Sequence, residues 1–172
     1  MPLTLGVLGL YWVGMSAQAS PVDFVATWNP PAGAPMRLQK AKENYLCAQH
    51  ALSKNRFNAA ASRYYYALHL ASMELFDAKG MVAPPVPRVD RNTNQAVMKS
   101  VWTHSNVAQQ IILATGDISH ANFWRQCLTE RERADYHPTV GVDGTFYRRE
   151  IVPRVKKALE DIFRLVLATK AN

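Results

Sequence analysis

Apolar residues return every three or four positions along most of the chain after residue 36, and this helical spacing restricts the possible folds most strongly. One such stripe lies between Phe57 and Lys79 and another between Tyr147 and Thr169. The first stripe consists of Phe57, Ala61, Tyr64, Leu68, Ala71 and Leu75, and the second of Ile151, Val155, Leu159, Ile162 and Val166. Because an amphipathic helix must bury its apolar stripe against other elements, the pattern predicts an all-α fold.

Three further helices are predicted, over Met36–Lys54, Gln95–Ala114 and Ile118–Arg133. Gly80 and Gly116 follow two of the five helices as typical stop signals. No segment shows a convincing strand pattern. We therefore expect an up-and-down bundle of four to five helices in a single domain that covers residues 36–172.

Residues 1–35 lie outside this pattern and are expected to be dispensable for folding. An apolar run from Leu3 to Met15 is shorter than the roughly 20 residues that span a bilayer. Ala17-Gln18-Ala19 resembles a signal-peptide cleavage site, but no positive residue precedes the apolar run. The segment is therefore interpreted as a non-native start or an extension, with a secretion signal as the alternative. Residues 20–35 are predicted to be a linker because they are rich in Pro, Gly and Ala.

Positive charge is concentrated in the predicted bundle. The chain of 172 residues has a formal net charge of +7, and its first 35 residues contain only one charged side chain, that of Asp23. The rest therefore carries about +8 by subtraction, which favours acidic partners such as RNA or nucleotides. Cys47 and Cys127 are too far apart for a zinc motif and are predicted to be buried thiols in a reducing compartment.

The stretch "ASRYYYALHLASMELFDAKG" places unusual polar aromatic chemistry within a predicted core helix. Arg63 and His69 are six residues apart and point about 120° away from each other, so they cannot meet on one helix face. The structural interpretation is a helix that is buried on several sides and whose tyrosine hydroxyls and His69 have hydrogen-bond partners. The alternative is that this helix lines a ligand site.

A second polar stretch, "TERERADYHP", ends the helix predicted over residues 118–133. Because the residue before a proline avoids helical geometry, His137 is expected to leave the helix and to turn towards Arg131 or Arg133. An arginine fork binds phosphate, and a histidine transfers protons near neutral pH. These are the groups that RNA cleavage by 2′-hydroxyl attack requires without a metal. The alternative is a solvated helix end.

A third stretch, "VWTHSNV", places His104 beside Trp102, where a lone histidine is most often structural. No glycine-rich phosphate loop, G-x-S-x-G elbow or H-E-x-x-H motif is present in the sequence. Kinase, serine hydrolase and metalloprotease functions are therefore unsupported, and neither a cofactor nor a metal site is predicted.

Taken together, these stretches resemble the HEPN superfamily of prokaryotic and eukaryotic nucleotide-binding domains. The segment from Leu38 to Gly80 resembles the first helical hairpin of the family, and "THSNV" resembles its Ser/Thr-His segment. "RERADY" resembles its Arg-x-x-Ala-Asp-Tyr signature, with Arg131, Asp135 and Tyr136 at the polar positions. The resemblance covers residues 36–170.

The resemblance implies a helical bundle that usually forms a homodimer. It also implies a toxin–antitoxin setting, in which many members are paired with a minimal nucleotidyltransferase. Catalytic members are metal-independent ribonucleases, and Arg131-x5-His137 matches their Arg-His spacing. The Ala-Asp-Tyr branch often lacks this catalytic histidine, so the spacing match at His137 does not by itself identify a catalytic residue.

Two functions are therefore carried forward. The first is a toxin-like ribonuclease, in which Arg131 binds the phosphate and His137 transfers protons, with Arg133, Asp135, Tyr136, Arg63 and His104 as binding residues. The second is a non-catalytic helical module that binds a nucleotide or a protein. For both we expect RNA or a nucleotide, a minimal nucleotidyltransferase and a second copy of the chain as partners, a cytoplasmic location and no membrane association.

Overall fold

The structure is a computed structural model and describes residues 23–137 and 141–171. It is mostly helical, as predicted, and contains one small antiparallel sheet. The elements are α1 (Phe24–Thr27), α2 (Met36–Ser53), α3 (Phe57–Ala78), β1 (Pro85–Val89), β2 (Ala96–Ser100), α4 (His104–Thr115), α5 (Ile118–Tyr136), α6 (Gly144–Phe146), a π-helical turn (Tyr147–Ile151) and α7 (Val152–Ala171).

Helix α3 is the centre of the fold. It packs against α2, α4, α5 and α7, and more than half of its residues are buried. The predicted stripe of α3 is confirmed, except that Phe57 at its start is only half-buried. Helices α2 and α3 end within one residue of the predicted positions. Gly80 follows α3 with φ +66°, a backbone conformation that glycine adopts without strain.

Every residue of the last predicted stripe is buried, with Ile151 in the π-helical turn and the other four in α7. Pro153 occupies the second position of the helix, where its missing N–H is tolerated. The π-helical turn comes directly before, and the Val152 N–H donates to the carbonyl of Tyr147. Helices α3 and α7 together therefore form the centre of one hydrophobic core.

The prediction of a helix from Gln95 was wrong, because residues 96–100 form a strand and α4 begins only at His104. Thr103 fixes this start. Its hydroxyl accepts from the Asn106 N–H at 3.3 Å, and the Asn106 side chain accepts from the Thr103 N–H at 2.7 Å. Such a capping box defines the first residue of a helix. The expectation that the chain has no strands was therefore also wrong.

Helix α1 lies within the stretch that was predicted to be a linker, yet it packs on the bundle. Val25 is 1% exposed and Trp28 is 9% exposed, and both belong to the same hydrophobic core as α3 and α7. The carboxylate of Asp23 caps α1 by accepting from the Ala26 N–H at 3.1 Å. The core therefore includes residues before Met36. The apolar run at residues 3–15 and the Ala17-Gln18-Ala19 sequence lie outside the described residues.

The two cysteines differ in environment. Cys127 is buried, as predicted, and burial raises the pKa of its thiol. Cys47 is exposed, so the prediction of a second buried thiol was wrong. It lies on α2 between the buried residues Tyr45 and Ala48, at a position that faces away from the core.

Candidate functional site

Arg131 of α5 is held between two tyrosines and an aspartate. Its Nε lies 2.8 Å from Oδ2 of Asp135, one turn further along the helix. One terminal nitrogen donates to the Tyr66 hydroxyl at 3.2 Å. The guanidinium carbon lies 5.6 Å from the Tyr66 ring centre and 5.2 Å from that of Tyr136. The guanidinium is therefore positioned by three neighbours.

The pKa of Arg131 reflects these neighbours. Burial alone would lower it, but contacts with Tyr136, Tyr66 and Asp135 raise the pKa above its usual value. The side chain is only 12% exposed. Arg131 therefore remains charged and also orders the two aromatic rings beside it.

A groove with a volume of about 450 Å³ lies between α3 and α5, next to this cluster. Arg63 lies at this groove and is exposed, and one of its terminal nitrogens donates to the Asn44 side chain at 3.2 Å. The structure thus brings two of the predicted binding residues, Arg63 and Asp135, to one surface. The groove is lined by Asn58, Ala59, Ser62, Arg63, Tyr66, Ala134 and Asp135.

Arg133 does not belong to this groove. Residues two positions apart on an α-helix are rotated by about 200° about the helix axis. Arg131 and Arg133 therefore leave α5 on nearly opposite sides. Arg133 instead pairs with Glu130 at 2.9 Å, and Glu130 is only 5% exposed. Its role is to neutralise a buried carboxylate, and the expectation that it shares a cleft with Arg131 is not met.

His137 leaves the helix, as the sequence predicted. It is the C-cap residue of α5, with φ −128° and ψ 59°, and its N–H donates to the Arg133 carbonyl at 3.0 Å. The residue is exposed. Within residues 23–137 and 141–171, its ring forms no hydrogen bond or ion pair. The described structure therefore does not join His137 to Arg131.

His104 belongs to a separate aromatic cluster that also contains Tyr65, His69 and Trp124. Its Nδ1 is hydrogen-bonded to the Tyr65 hydroxyl. The His69 ring lies 4.9 Å from that of His104, and the Tyr65 ring lies 5.2 Å from that of Trp124. The prediction that the tyrosine hydroxyls of this helix have hydrogen-bond partners is therefore met at Tyr65. Within the described part of the chain, however, the buried Tyr64 hydroxyl and His69 Nδ1 have no partner.

Burial shifts the titration of both histidines in this cluster. It lowers the pKa of His69 to about 4, and the nearby His104 contributes in the same direction. Burial, followed by the charge of Arg131, also lowers the pKa of His104. Both rings are therefore neutral at pH 7, and His69 can take up a proton readily only when the chain unfolds.

We expect the protein to lose stability as the pH falls from about 6.5 to about 4. In this range the unfolded chain binds a proton at His69 that the folded chain does not, at a cost of up to roughly 3 kcal/mol. His104 adds to the loss. Urea unfolding at several pH values will measure it, and His69→Phe should flatten the curve. A wild-type curve that matches the variant would contradict the assignment.

A second pocket, which the sequence analysis missed, has a volume of about 230 Å³ between α5 and α7. His120 lies there, 3.3 Å from Asp117 and 3.8 Å from Asp161. Lys157 and Arg154 also line the pocket. The two carboxylates balance the charges of Lys157 and Arg154, so the pocket favours neither anionic nor cationic ligands. No motif in the sequence marks these residues, because they come together only when α5 packs near α7.

Among residues 23–137 and 141–171, no group of three or more His, Cys, Asp or Glu side chains is arranged to hold a metal ion. Within the same ranges, no helix has both the length and the apolar character required to cross a membrane. The chain matches no protein-family model, no curated protein sequence and no solved structure.

Proposed function

We propose that the protein binds RNA and that the groove between α3 and α5 holds part of a single strand. The observation that carries this proposal is the position of Tyr66, whose side chain lines the groove beside the exposed cation Arg63. Single-stranded nucleic acid is commonly bound by a cation that contacts the phosphates and an aromatic ring that stacks on a base. The groove offers both within one surface.

Arg131 supports this surface from one side. Its contacts with Tyr66, Asp135 and Tyr136 hold two aromatic rings and a carboxylate in fixed positions. Tyr136 is 65% exposed, so its ring is available to a second base. The Asp135 carboxylate can accept a hydrogen bond from a base amino group or a ribose hydroxyl. In this arrangement Arg131 is a positioning residue.

The charge of the chain is consistent with such a partner. The net charge is +7, and all of the positive charge follows residue 36. A positive surface attracts RNA at long range and makes binding dependent on salt.

Binding without cleavage agrees best with the geometry. The fork of Arg131 already contacts Tyr66 and Asp135, and a phosphate would have to displace one of them. Metal-independent cleavage remains the second candidate, and one observation favours it. His104 is hydrogen-bonded to Tyr65 beside Tyr66, and its lowered pKa keeps it neutral, as a general base requires. HEPN membership, dimerisation and a nucleotidyltransferase partner are proposals that follow from the resemblance alone.

Replacement of Tyr66 should weaken RNA binding through the loss of base stacking. Tyr66→Leu removes the ring, and a stacking loss of about 1–3 kcal/mol corresponds to a dissociation constant that is roughly 5 to 150 times higher. Tyr66→Phe keeps the ring and should bind nearly as well as the wild type. The measurement is fluorescence anisotropy with a labelled single-stranded RNA of about six nucleotides.

Arg63→Gln tests the phosphate contact in the same assay. It should lower the slope of log affinity against log salt by about 0.7, the value for one phosphate contact on a single strand. Arg125→Gln removes an exposed arginine of α5 outside the groove and is the matched control. The proposal fails if the wild type does not bind the short RNA, or if Tyr66→Leu binds it as tightly as the wild type does.

A further inference from the structure

The β-hairpin between α3 and α4 is largely exposed. Strands β1 and β2 pair in antiparallel fashion from Pro85 opposite Ser100 to Val89 opposite Ala96. Four of the five residues in each strand are exposed. A two-stranded hairpin is marginally stable by itself in water.

Three cations on this hairpin have no partner. Arg88, Arg91 and Lys99 form no ion pair or side-chain hydrogen bond with any residue of the described ranges. Elsewhere, exposed cations such as Lys157 and Arg164 pair with a carboxylate one turn away on the same helix. Other exposed cations of the helices, such as Arg63 and Arg125, bond only to asparagine side chains. What distinguishes the hairpin is that three unpaired cations lie on one short element.

The single acid of the hairpin is engaged by its own turn. Asp90 Oδ1 accepts from the Asn92 N–H at 2.8 Å and from the Thr93 N–H at 3.3 Å. The Asp90 N–H donates to the Gln95 carbonyl at 2.8 Å and closes the loop. Asp90 is therefore fixed by the turn, and the three cations remain available to an external anion.

The register places two of these cations on one face of the hairpin. Arg88 is opposite Val97, and Lys99 is opposite Val86. Because residues two apart on a strand share a face, Arg88 and Lys99 are diagonal neighbours on the same side. The two valines on that side are half-buried, so on this face two cations alternate with two apolar side chains.

The hairpin also lies close to the groove along α3. Trp102, two residues after β2, packs against Phe76 with the ring centres 4.6 Å apart. His104 follows and contacts Tyr65, whose ring is 5.6 Å from that of Tyr66. Phe76 lies ten positions after Tyr66 on α3, a separation of only about 15 Å along the helix. The base of the hairpin therefore lies about 15 Å along α3 from Tyr66, the groove residue nearest to it in the helix.

We propose that the hairpin Pro85–Ser100 is an arm that binds the phosphates of the same RNA strand beyond the groove. This inference rests on the proposed function for the identity of the partner. The arm contributes electrostatic contacts through Arg88, Arg91 and Lys99, and the groove contributes base stacking. RNA long enough to reach both surfaces is bound more tightly than RNA that fills only the groove.

A second copy of the chain fits the hairpin less well. Its opposite face is apolar and exposed, as shown by Val89 at 62% and Met98 at 63%. A two-fold interface through this hairpin, however, would bring together two identical sets of three unpaired cations. Like charges at an interface cost several kcal/mol, whereas a polyanion would neutralise them.

The test uses the full chain with Arg88, Arg91 and Lys99 all changed to serine. All three residues are exposed, so we expect an unchanged melting temperature. For an RNA of about twenty nucleotides, loss of three phosphate contacts should lower the slope of log affinity against log salt by about 2. For an RNA of about six nucleotides, affinity should stay within twofold of the wild type because the groove is intact.

The matched control changes Arg125, Lys157 and Arg164 to glutamine, which removes the same charge from α5 and α7. It should leave the salt slope for the long RNA nearly unchanged. The inference is overturned if the control lowers the slope of log affinity against log salt as much as the hairpin variant does. It is overturned equally if the hairpin variant binds the long RNA with the affinity and salt slope of the wild type. It is also overturned if sedimentation shows that the hairpin variant turns a dimer into a monomer, because the arm would then contact a second copy.

The two proposals fail in different ways. If binding of the long RNA depends on the hairpin but the short RNA does not bind at all, the proposed binding site in the groove is wrong. If the short RNA binds and is lost in Tyr66→Leu, while the hairpin variant has no effect on the long RNA, the arm is the part that is wrong.

Discussion

Replacement of Trp28 by alanine should lower the free energy of unfolding by about 3–5 kcal/mol, the range for truncation of a large buried aromatic residue. The Trp28 side chain is 9% exposed, and its ring meets that of Phe163 edge-on, with centres 5.2 Å apart. Truncation leaves a cavity between α1 and α7 that these elements cannot close without moving. Urea unfolding followed by circular dichroism will measure the loss.

A polar network beside Trp28 reinforces this expectation. Asp23 accepts hydrogen bonds from the Tyr45 hydroxyl and from Gln49 and lies 3.2 Å from the ammonium group of Lys156. Burial alone would raise the pKa of Asp23, but the bonds from Tyr45 and the Ala26 N–H and the charge of Lys156 hold it below its usual value. The segment before α2 is therefore tied to α2 and α7 by packing and by charge.

Leu113→Ala is the control for Trp28→Ala, because Leu113 is 72% exposed and its truncation should change stability by less than about 0.5 kcal/mol. If Trp28→Ala unfolds at the same urea concentration as the wild type, the segment before Met36 does not contribute to the core. The sequence expectation that residues 1–35 are dispensable would then stand.

The long helices could be predicted because their apolar spacing continues for four or more turns. Each of the five residues of the last predicted stripe is buried, one in the π-helical turn and four in α7, and tertiary contacts did not need to override any local preference. Helix α1 could not be found in this way. It has only four residues, and its burial depends on contacts with α2 and α7 that lie far away in the sequence.

The hairpin was missed for a different reason. Its strands are short and largely exposed, so neither shows an alternation of apolar and polar residues that would indicate a half-buried strand. The sequence pattern therefore assigns residues 95–100 to the following helix. The capping sequence from Thr103 to Asn106 was the available signal for the true start of α4.

The candidate site was predictable only in part. The sequence named Arg131 and Asp135 as site residues through the family resemblance, and the structure joins them at 2.8 Å across one helical turn. The contact between Arg131 and Tyr66 joins residues 65 positions apart, and no local pattern predicts such a pair. The same holds for His104 and Tyr65, which meet because α4 packs on α3.

If the protein cleaves RNA in the way the HEPN resemblance implies, cleavage should depend on His137, the residue to which that resemblance assigns proton transfer. His137→Ala should lower the cleavage rate by about 10²- to 10⁴-fold, the usual contribution of general acid–base catalysis, and leave RNA affinity unchanged. His137 is exposed at the end of α5, so this substitution removes no core packing. The measurement is the rate of cleavage of a labelled RNA, with and without a chelator.

Two histidine variants make this test selective. His50→Ala removes an exposed histidine of α2 and should cleave like the wild type. His104→Ala removes the ring that is bonded to Tyr65, and a loss confined to this variant would move proton transfer from the end of α5 to the aromatic cluster. Equal rates for wild type and His137→Ala would exclude His137 as the catalytic group. RNA that binds in the groove but is never cleaved would leave the binding module as the function, because Arg131 would then serve only to hold Tyr66, Asp135 and Tyr136 in place.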